Sequence, residues 1–250
     1  MNNKIKLGII GNGRFGKLLA SIFSESEEVE VQIYDRNLSE PNAPFFSLDH
    51  VLQSDYVFPC VPINQLEVLI KEMVKIGLGT STVLVDVASV KEYPVNLYLK
   101  YLPDSSLIAT HPMFGPGNIQ KKGNLISQLK LLEPKVSIAN ISASDHSYIW
   151  FANFMSEMGL KLIEISPKDH DRIAAKSQFI TLFNIFSLKE IKFTKTKVET
   201  KSSQELENVV NMVTVDIQLL EDIYRYNPYC AQELKNFKIA IEKISKRITR

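Results

Sequence analysis

The chain has 250 residues, 45% hydrophobic and 23% charged, which is typical of a folded globular protein, and its net charge of +1 argues against a nucleic-acid partner. Its two cysteines, Cys60 and Cys230, are too few for a disulfide scaffold and do not cluster with histidines, so we predict no metal and a reducing, cytoplasmic setting. No run of eighteen apolar residues occurs, so we predict no membrane partner.

Short β-rich runs alternate with amphipathic helical stretches over the first two thirds of the chain. The clearest predicted helices cover 14–26, 65–77 and 144–159. The predicted strands are 4–11, 29–35, 56–62, 81–89, 106–112, 134–140 and 160–166. This alternation is typical of βαβ units, so we predict an α/β, Rossmann-type, doubly wound and mostly parallel sheet with helices on both faces.

The pattern becomes helical after Pro167, so we predict two domains, 1–167 and an all-helical 168–250. Residues 170–191 are apolar on most sides and predict one long helix that is buried all round. The stretch "SSQE" at 202–205 has the form of a capping box, and Asn227-Pro228 suits a cap followed by proline at the first helical position. The apolar faces of these helices are longer than a domain of this size needs for its own core. We therefore predict a homodimer that forms through the helical domain.

A glycine pattern lies between the first predicted strand and the first predicted helix. In "GIIGNGRFG", Gly11 allows a tight turn, Gly13 lets a pyrophosphate approach the backbone, and Gly16 lets helix and strand pack closely. Asp35 follows at the end of the second strand, where a carboxylate accepts hydrogen bonds from ribose hydroxyls. We therefore predict NAD as the cofactor, with NADP possible because Arg36 could pair with its 2′-phosphate. The remaining predicted cofactor contacts are Arg14, Phe15, Val61 and Pro62.

Two further motifs, "VDVASVKE" and "IATHPMFGPGN", lie at the carboxyl ends of the fourth and fifth predicted strands. The carboxyl ends of parallel strands line the ligand crevice of a doubly wound sheet, so Ser89 and His111 should face the nicotinamide end of the cofactor. Each residue also has a structural interpretation. His111 could be a hydrogen-bonded strand-end histidine, Ser89 the N-cap of "SVKE", and Lys91 a solvated first-turn lysine.

The sequence resembles the prephenate and arogenate dehydrogenases of tyrosine biosynthesis. The resemblance is carried by "GNGRFG", "DVASVKE", "THPMFGP" and "HDRIAAKSQFIT". The residues of "SQFIT" are most similar to those of the arogenate-using branch. It implies NAD(P)-dependent oxidative decarboxylation of a cyclohexadienol, with prephenate or arogenate as the small-molecule substrate. It also implies that His111 accepts the C4-hydroxyl proton, that Ser89 orients the histidine or the hydroxyl, that Lys91 supplies a positive charge, and that Gln178 contacts substrate.

The sequence departs from the family at Leu182, where many members carry a second histidine, and at Gly117, where a polar residue is usual. Two alternatives therefore stay open. One is a β-hydroxyacid-type dehydrogenase that uses a helical-domain lysine such as Lys176. The other is a non-catalytic nucleotide-binding protein on the same fold, which Leu182 favours.

Overall fold

The computed structural model describes residues 4–37, 45–117, 119, 123–194, 196–213 and 217–249. These residues divide into two compact units, Met1–Pro167 and Lys168–Arg250. Within the described ranges, every helix is too short or too polar to cross a bilayer.

The first unit is built on one seven-stranded sheet. Its strands are β1 Ile5–Ile10, β2 Val29–Tyr34, β3 Tyr56–Pro59, β4 Val83–Asp86, β5 Ser106–Pro112, β6 Lys135–Asn140 and β7 Lys161–Glu164. Their order is β2-β1-β3-β4-β5-β6-β7. β5 and β6 pair antiparallel, and the other neighbouring strands pair in parallel. The predicted fold class is therefore confirmed, and so is its mostly parallel sheet.

Helices cover both faces of this sheet. They are α1 Arg14–Phe23, α2 Leu48–Val51, α3 Ile63–Ile76, α4 Glu92–Tyr101, α5 Leu125–Leu132 and α6 Asp145–Glu157. On one face, Phe23 of α1 and Phe154 of α6 pack with ring centroids 5.6 Å apart. On the other face, Met73 of α3 and Tyr98 of α4 are buried against the strands. Burying apolar side chains on both faces stabilises the parallel sheet, as a doubly wound fold requires.

The strands that point toward the predicted site end earlier than the sequence pattern suggests. β3 ends at Pro59 instead of residue 62, and β4 ends at Asp86 instead of residue 89. The chain leaves β1 for β2 on one side, whereas β3, β4 and β5 extend the sheet on the other. The carboxyl ends of β1 and β3 therefore flank a topological switch point, where folds of this class bind their ligands.

The second unit is helical. Its helices are α7 Pro167–Ala174, which begins at the last residue of the first unit, a π-helical turn at Ala175–Phe179, α8 Ile180–Glu190, α9 Lys201–Met212, α10 Ile217–Tyr226 and α11 Cys230–Ile248. Residues 167–190 are helical without a break, so the predicted long helix is present, but the prediction that 170–191 is buried all round was wrong. Ile173 on α7 is 58% exposed, and the π turn that follows adds a residue and rotates the positions after it.

Both predicted helix starts in this unit were displaced by about one turn or less. The Oγ1 of Thr200 accepts a hydrogen bond from the Ser203 amide at 3.3 Å, so Thr200 is the N-cap of α9 and Ser202 lies inside the helix. The Oδ1 of Asn227 accepts from the Tyr229 amide at 3.0 Å, but α11 begins only at Cys230. At α9 the residues Thr200 and Ser202 are both suited to capping, and the structure uses the one that the pattern did not favour.

Candidate active site

The glycine loop connects β1 to α1 and has the geometry of a phosphate cradle. Gly11 has φ +105°, and a Cβ built there would lie 2.6 Å from the Cys60 carbonyl oxygen. A Cβ at Gly16 would lie 1.9 Å from the Gly11 carbonyl oxygen, so both positions require glycine for the loop itself. A Cβ at Gly13 would meet no described atom within 4 Å. The loop therefore has no internal need for glycine at Gly13, and the open space in front of it fits an approaching pyrophosphate.

The N-terminus of α1 is open to an anion. Its N-cap is Gly13, and no described side chain caps the helix. The first turn carries Arg14 and Lys17 and has no acidic residue. The amide groups and the helix dipole therefore both favour negative charge at this point.

Asp35 connects the end of β2 to this loop. Its Oδ2 accepts a hydrogen bond from the Asn12 amide at 2.7 Å, and its Oδ1 accepts from the Asn37 amide at 2.8 Å. Because a carboxylate has about four acceptor sites, two bonds leave capacity for ribose hydroxyls. Arg36 lies next to it and is exposed.

An aromatic contact brings the glycine loop together with the "HPMFGP" stretch. The rings of Phe15 and Phe114 lie with their centroids 6.4 Å apart and are tilted by 57°. Phe114 is buried, and Phe15 packs against the same core from α1. This contact fixes the loop after β5 beside the start of α1.

A buried ion pair joins the ends of β4 and β5. Lys91 and Asp86 are only 2% and 1% exposed, and the Lys91 Nζ pairs with the Asp86 carboxylate. The same Nζ donates a hydrogen bond to the Thr110 carbonyl oxygen, and the Thr110 Oγ1 donates to the Asp86 carbonyl oxygen at 2.8 Å. The interpretation of Lys91 as a solvated lysine was therefore wrong. Ser89 is also not the N-cap of α4, because that helix begins at Glu92 after Lys91.

His111 lies directly after this clamp. The last β4–β5 pair is Asp86 with Ala109, so Thr110, His111 and Pro112 extend beyond the end of β4. On its other side β5 stays paired with β6 through this stretch, where His111 faces Ser137. The histidine is 6% exposed. His111 is thus held within β5, at the edge of the sheet where β4 ends.

Two polar side chains near Asp86, Cys60 after β3 and Tyr98 on α4, are kept neutral. Burial raises the pKa of the Cys60 thiol far above its usual range, and the nearby Asp86 carboxylate raises it further. Burial likewise raises the pKa of the Tyr98 phenol well above its usual value, with Asp86 and Cys60 adding to the effect. Neither group is therefore a thiolate or phenolate base near neutral pH.

The other predicted site residues fall into two groups. Ser89, three residues after β4, and Val61, after β3, are half-buried, whereas Pro62 is exposed at the start of α3. These residues therefore share the sheet edge with the glycine loop and His111. Gln178 lies in the π-helical turn of the second unit, where its Oε1 is buried and has no hydrogen-bond partner among the described residues.

The second unit holds its own buried polar cluster at the start of its helices. The Nδ1 of His170 lies 2.8 Å from the Asp171 Oδ1, and both residues are buried. The Asn227 side chain donates to the Asp171 carbonyl oxygen at 2.9 Å, which connects α7 to the turn before α11. Leu182 is buried in α8. Among the described residues, no group of three or more metal-ligating side chains is placed to hold an ion.

Sequence reasoning missed Asp86 and Ser137. Asp86 carried a detectable signal, because a carboxylate at the end of an apolar strand with a lysine five residues later is an unusual pattern for a solvated pair. Ser137 carried a weaker signal, a lone serine inside the apolar strand "KVSIAN".

The fold and the site together define a Rossmann-type NAD(P)-binding protein with a buried histidine at the ligand edge of its sheet. A family model described as "Prephenate dehydrogenase, nucleotide-binding domain" matches residues 21–149, which is more than half of the chain. The chain therefore belongs to the prephenate dehydrogenase family. A second model, described as "TYRAAT1-like, C-terminal domain", matches residues 187–250.

Similar proteins from plants and bacteria agree with this assignment. The chain is 29% identical to arogenate dehydrogenase 1, chloroplastic, of Arabidopsis thaliana over 98% of its own length and 39% of that protein's. It is 28% identical to arogenate dehydrogenase 2, chloroplastic, of the same plant over 99% of its own length and 71% of that protein's. The fold matches prephenate dehydrogenase from A. aeolicus in complex with hydroxyphenyl propionate and NAD+, with a TM-score of 0.74, 16% identity, and 100% and 92% of the two chains covered. The chain thus spans well under half the length of the first of these relatives.

Proposed function

We propose that the chain catalyses the NAD(P)-dependent oxidative decarboxylation of arogenate or prephenate. The observation that carries this proposal is the position of His111. This buried histidine lies beyond the end of β4, at the same edge of the sheet as the glycine-rich loop and the uncapped N-terminus of α1. Membership of the prephenate dehydrogenase family supports the proposal, and so do the plant relatives, whose names specify arogenate dehydrogenase.

The chemistry is an alcohol oxidation followed by loss of carbon dioxide. A nicotinamide bound at this edge of the sheet would supply the acceptor for the hydride that leaves C4 of the substrate ring. His111 accepts the proton of the C4 hydroxyl, which becomes a carbonyl, and loss of CO2 then makes the ring aromatic. An imidazole suits this step because its unperturbed pKa lies near 6.5, so that it is mostly neutral near pH 7. Ser89 orients the histidine or the hydroxyl from the end of β4.

Lys91 acts in this scheme as a positioning residue. Its Nζ holds the Thr110 carbonyl, one residue before His111, and its charge is balanced by Asp86. It therefore fixes the backbone that carries the histidine, and it is too buried to meet the substrate. Small displacements of a catalytic group reduce rates strongly, so this clamp matters for turnover.

The cofactor contacts follow from the loop geometry. The amides at the start of α1, together with Gly13, Arg14 and Phe15, would hold the pyrophosphate of the cofactor. Asp35 accepts hydrogen bonds from the ribose hydroxyls and repels a 2′-phosphate, which favours NAD. Arg36 is the residue through which NADP would be accommodated.

Residues 168–250 supply substrate contacts and the dimer interface in this proposal. Gln178 contacts the substrate, which suits its unpartnered buried Oε1. Leu182 contributes no polar contact, so the side chain or the ring carboxylate of the substrate is anchored elsewhere. Ile241, Ile244 and Ile248 lie exposed along α11, and we propose that a second copy covers them. Light scattering at micromolar concentration would give twice the chain mass, and a monomer mass would contradict the dimer.

The two cysteines support a proposal for the compartment. Cys60 and Cys230 are both free thiols, which suits a reducing setting, and we propose the cytoplasm for this chain. Cell fractionation with a matched marker enzyme tests this proposal. Recovery in an organelle fraction would overturn it.

The decisive experiment is a steady-state assay of NAD(P)H formation with each pairing of arogenate or prephenate with NAD+ or NADP+. We expect turnover with at least one pairing and the higher kcat/KM with arogenate and NAD+. Reduction driven only by a 3-hydroxy acid would favour the β-hydroxyacid dehydrogenase and Lys176, which is exposed on the π turn. Nucleotide binding without turnover of any of these substrates would favour the non-catalytic alternative.

A further inference from the structure

Ser137 is the direct cross-strand neighbour of His111. The two residues are paired in the antiparallel register of β5 and β6. Directly opposed residues point to the same face of a sheet, with Cβ atoms about 4.5–5.5 Å apart. Ser137 is 2% exposed, so the serine and the histidine share one buried layer.

The hydroxyl of Ser137 has no hydrogen-bond partner in the part of the chain that the structure describes. Its Oγ is buried and makes no hydrogen bond with any described residue. The strand around it is apolar, since Val136 and Ile138 on either side are buried in the core. Buried hydroxyls are almost always hydrogen-bonded, so an unpartnered one indicates a function beyond packing.

We propose that Ser137 is a positioning residue for His111, whose ring it holds through the imidazole nitrogen that does not face the substrate. This inference rests on the proposed function, in which the other nitrogen accepts the substrate proton. A neutral imidazole has one donor and one acceptor nitrogen, so an oxygen that accepts the N–H fixes the tautomer that leaves the second nitrogen free to act as base. The same oxygen stabilises the ring when it becomes positively charged.

The direction of approach separates this role from those of the residues already described. Ser89, Lys91 and Asp86 reach the site from the β4 side of β5, whereas Ser137 reaches it from β6 on the opposite side. Hydrogen bonds of catalytic residues are often long without substrate and tighten in the reactive complex. The bond between Ser137 and His111 therefore forms when the substrate alcohol engages the ring.

The test is a comparison of Ser137→Ala with Ser137→Thr. Removing an unpartnered buried hydroxyl is neutral or favourable for folding, so we expect the alanine variant to be at least as stable as the unchanged protein. We expect its kcat to fall by about 10- to 100-fold, the scale of one hydrogen bond to a group that becomes charged. The KM for arogenate and the Kd for NAD+ should stay within about twofold, because the residue touches neither ligand. Ser137→Thr keeps the hydroxyl and should recover most of the lost kcat.

Tyr98→Phe is the matched control. Tyr98 also carries a buried hydroxyl without a hydrogen-bond partner among the described residues, but it lies on α4. Its loss should leave kcat unchanged. A Ser137→Ala variant with the kcat of the unchanged protein overturns the role of Ser137 alone. A folded Ser137→Thr variant as slow as Ser137→Ala, or an equal loss in Tyr98→Phe, also overturns it. An unchanged protein that turns over neither arogenate nor prephenate overturns both proposals.

Discussion

Replacing Lys91 by methionine removes the charge from the clamp between β4 and β5 and keeps most of the apolar stem. The Asp86 carboxylate, 1% exposed, would then be buried without its cation. Removing one partner of a buried ion pair lowers the free energy of unfolding by about 3–5 kcal/mol, because an uncompensated charge remains in the interior. A protein of this size loses about 2–4 °C in Tm for each kcal/mol. We therefore expect Lys91→Met to lower the Tm by about 6–20 °C and to reduce kcat.

A second substitution separates stability from catalysis. The double variant Lys91→Met with Asp86→Leu replaces the whole ion pair by apolar groups, an exchange that is often neutral or stabilising. Most of the lost Tm should return. The Thr110 carbonyl still lacks its donor in this variant, so the segment that carries His111 stays loose and kcat should remain low. Thermal unfolding and steady-state kinetics on the same preparations measure both effects.

The surface pair Lys71–Glu67 provides the control, since its atoms lie 2.8 Å apart and its side chains are 53% and 36% exposed. Exposed pairs contribute about 0–1 kcal/mol, so Lys71→Met should shift the Tm by no more than about 4 °C. A Lys91→Met variant no less stable than Lys71→Met would refute the argument from burial. Full recovery of kcat in the double variant would refute the positioning role and leave Lys91 a structural residue.

Three further predictions test the cofactor loop and the proposed base. Gly13→Ala should fold normally and raise the Kd for NAD+, measured by isothermal titration, about tenfold or more, which is about 1.4 kcal/mol of binding free energy. Gly16→Ala should instead lower the Tm, because its Cβ would lie 1.9 Å from the Gly11 carbonyl oxygen. The reverse pattern would contradict the cradle. Asp35→Ala should weaken NAD+ more than NADP+, and an equal loss for both would remove Asp35 from the ribose contact. His111→Asn should keep cofactor affinity and lower kcat by about 10²–10⁴-fold, and an unchanged kcat would exclude it from proton transfer.

The fold of the first unit could be predicted well, because its strands, helices and glycine loop each leave a pattern within a short stretch of sequence. The alternation of apolar runs with helical periods identified each of the seven strands, and the glycine spacing identified the loop at Gly11. Strand ends were less accurate, since the apolar pattern continues through Val87 after the hydrogen-bonded pairing of β4 has stopped. Pairing depends on the neighbouring strand, which the pattern of one segment does not contain.

The second unit shows where local patterns fail. The π turn at Ala175–Phe179 depends on how the helix packs, and nothing in the periodicity of 170–191 marks the extra residue. Thr200 and Ser202 are both good capping residues, so the choice between them depends on where the preceding chain arrives. The interpretation of Lys91 as solvated failed for a related reason, because charge patterning alone does not reveal that a neighbouring strand covers the side chain.

The topology explains why a lysine had to be buried at this point. β5 continues past the end of β4 at Asp86, so the carbonyl of Thr110 loses the strand partner that would have donated to it. A buried backbone carbonyl needs a donor, and a lysine from the start of α4 supplies one where a strand amide is missing. The buried ammonium in turn requires a buried carboxylate, which Asp86 provides from the last residue of β4. The early end of β4 therefore leaves the β4-facing edge of β5 without a strand partner just before His111, and the ion pair keeps that edge ordered.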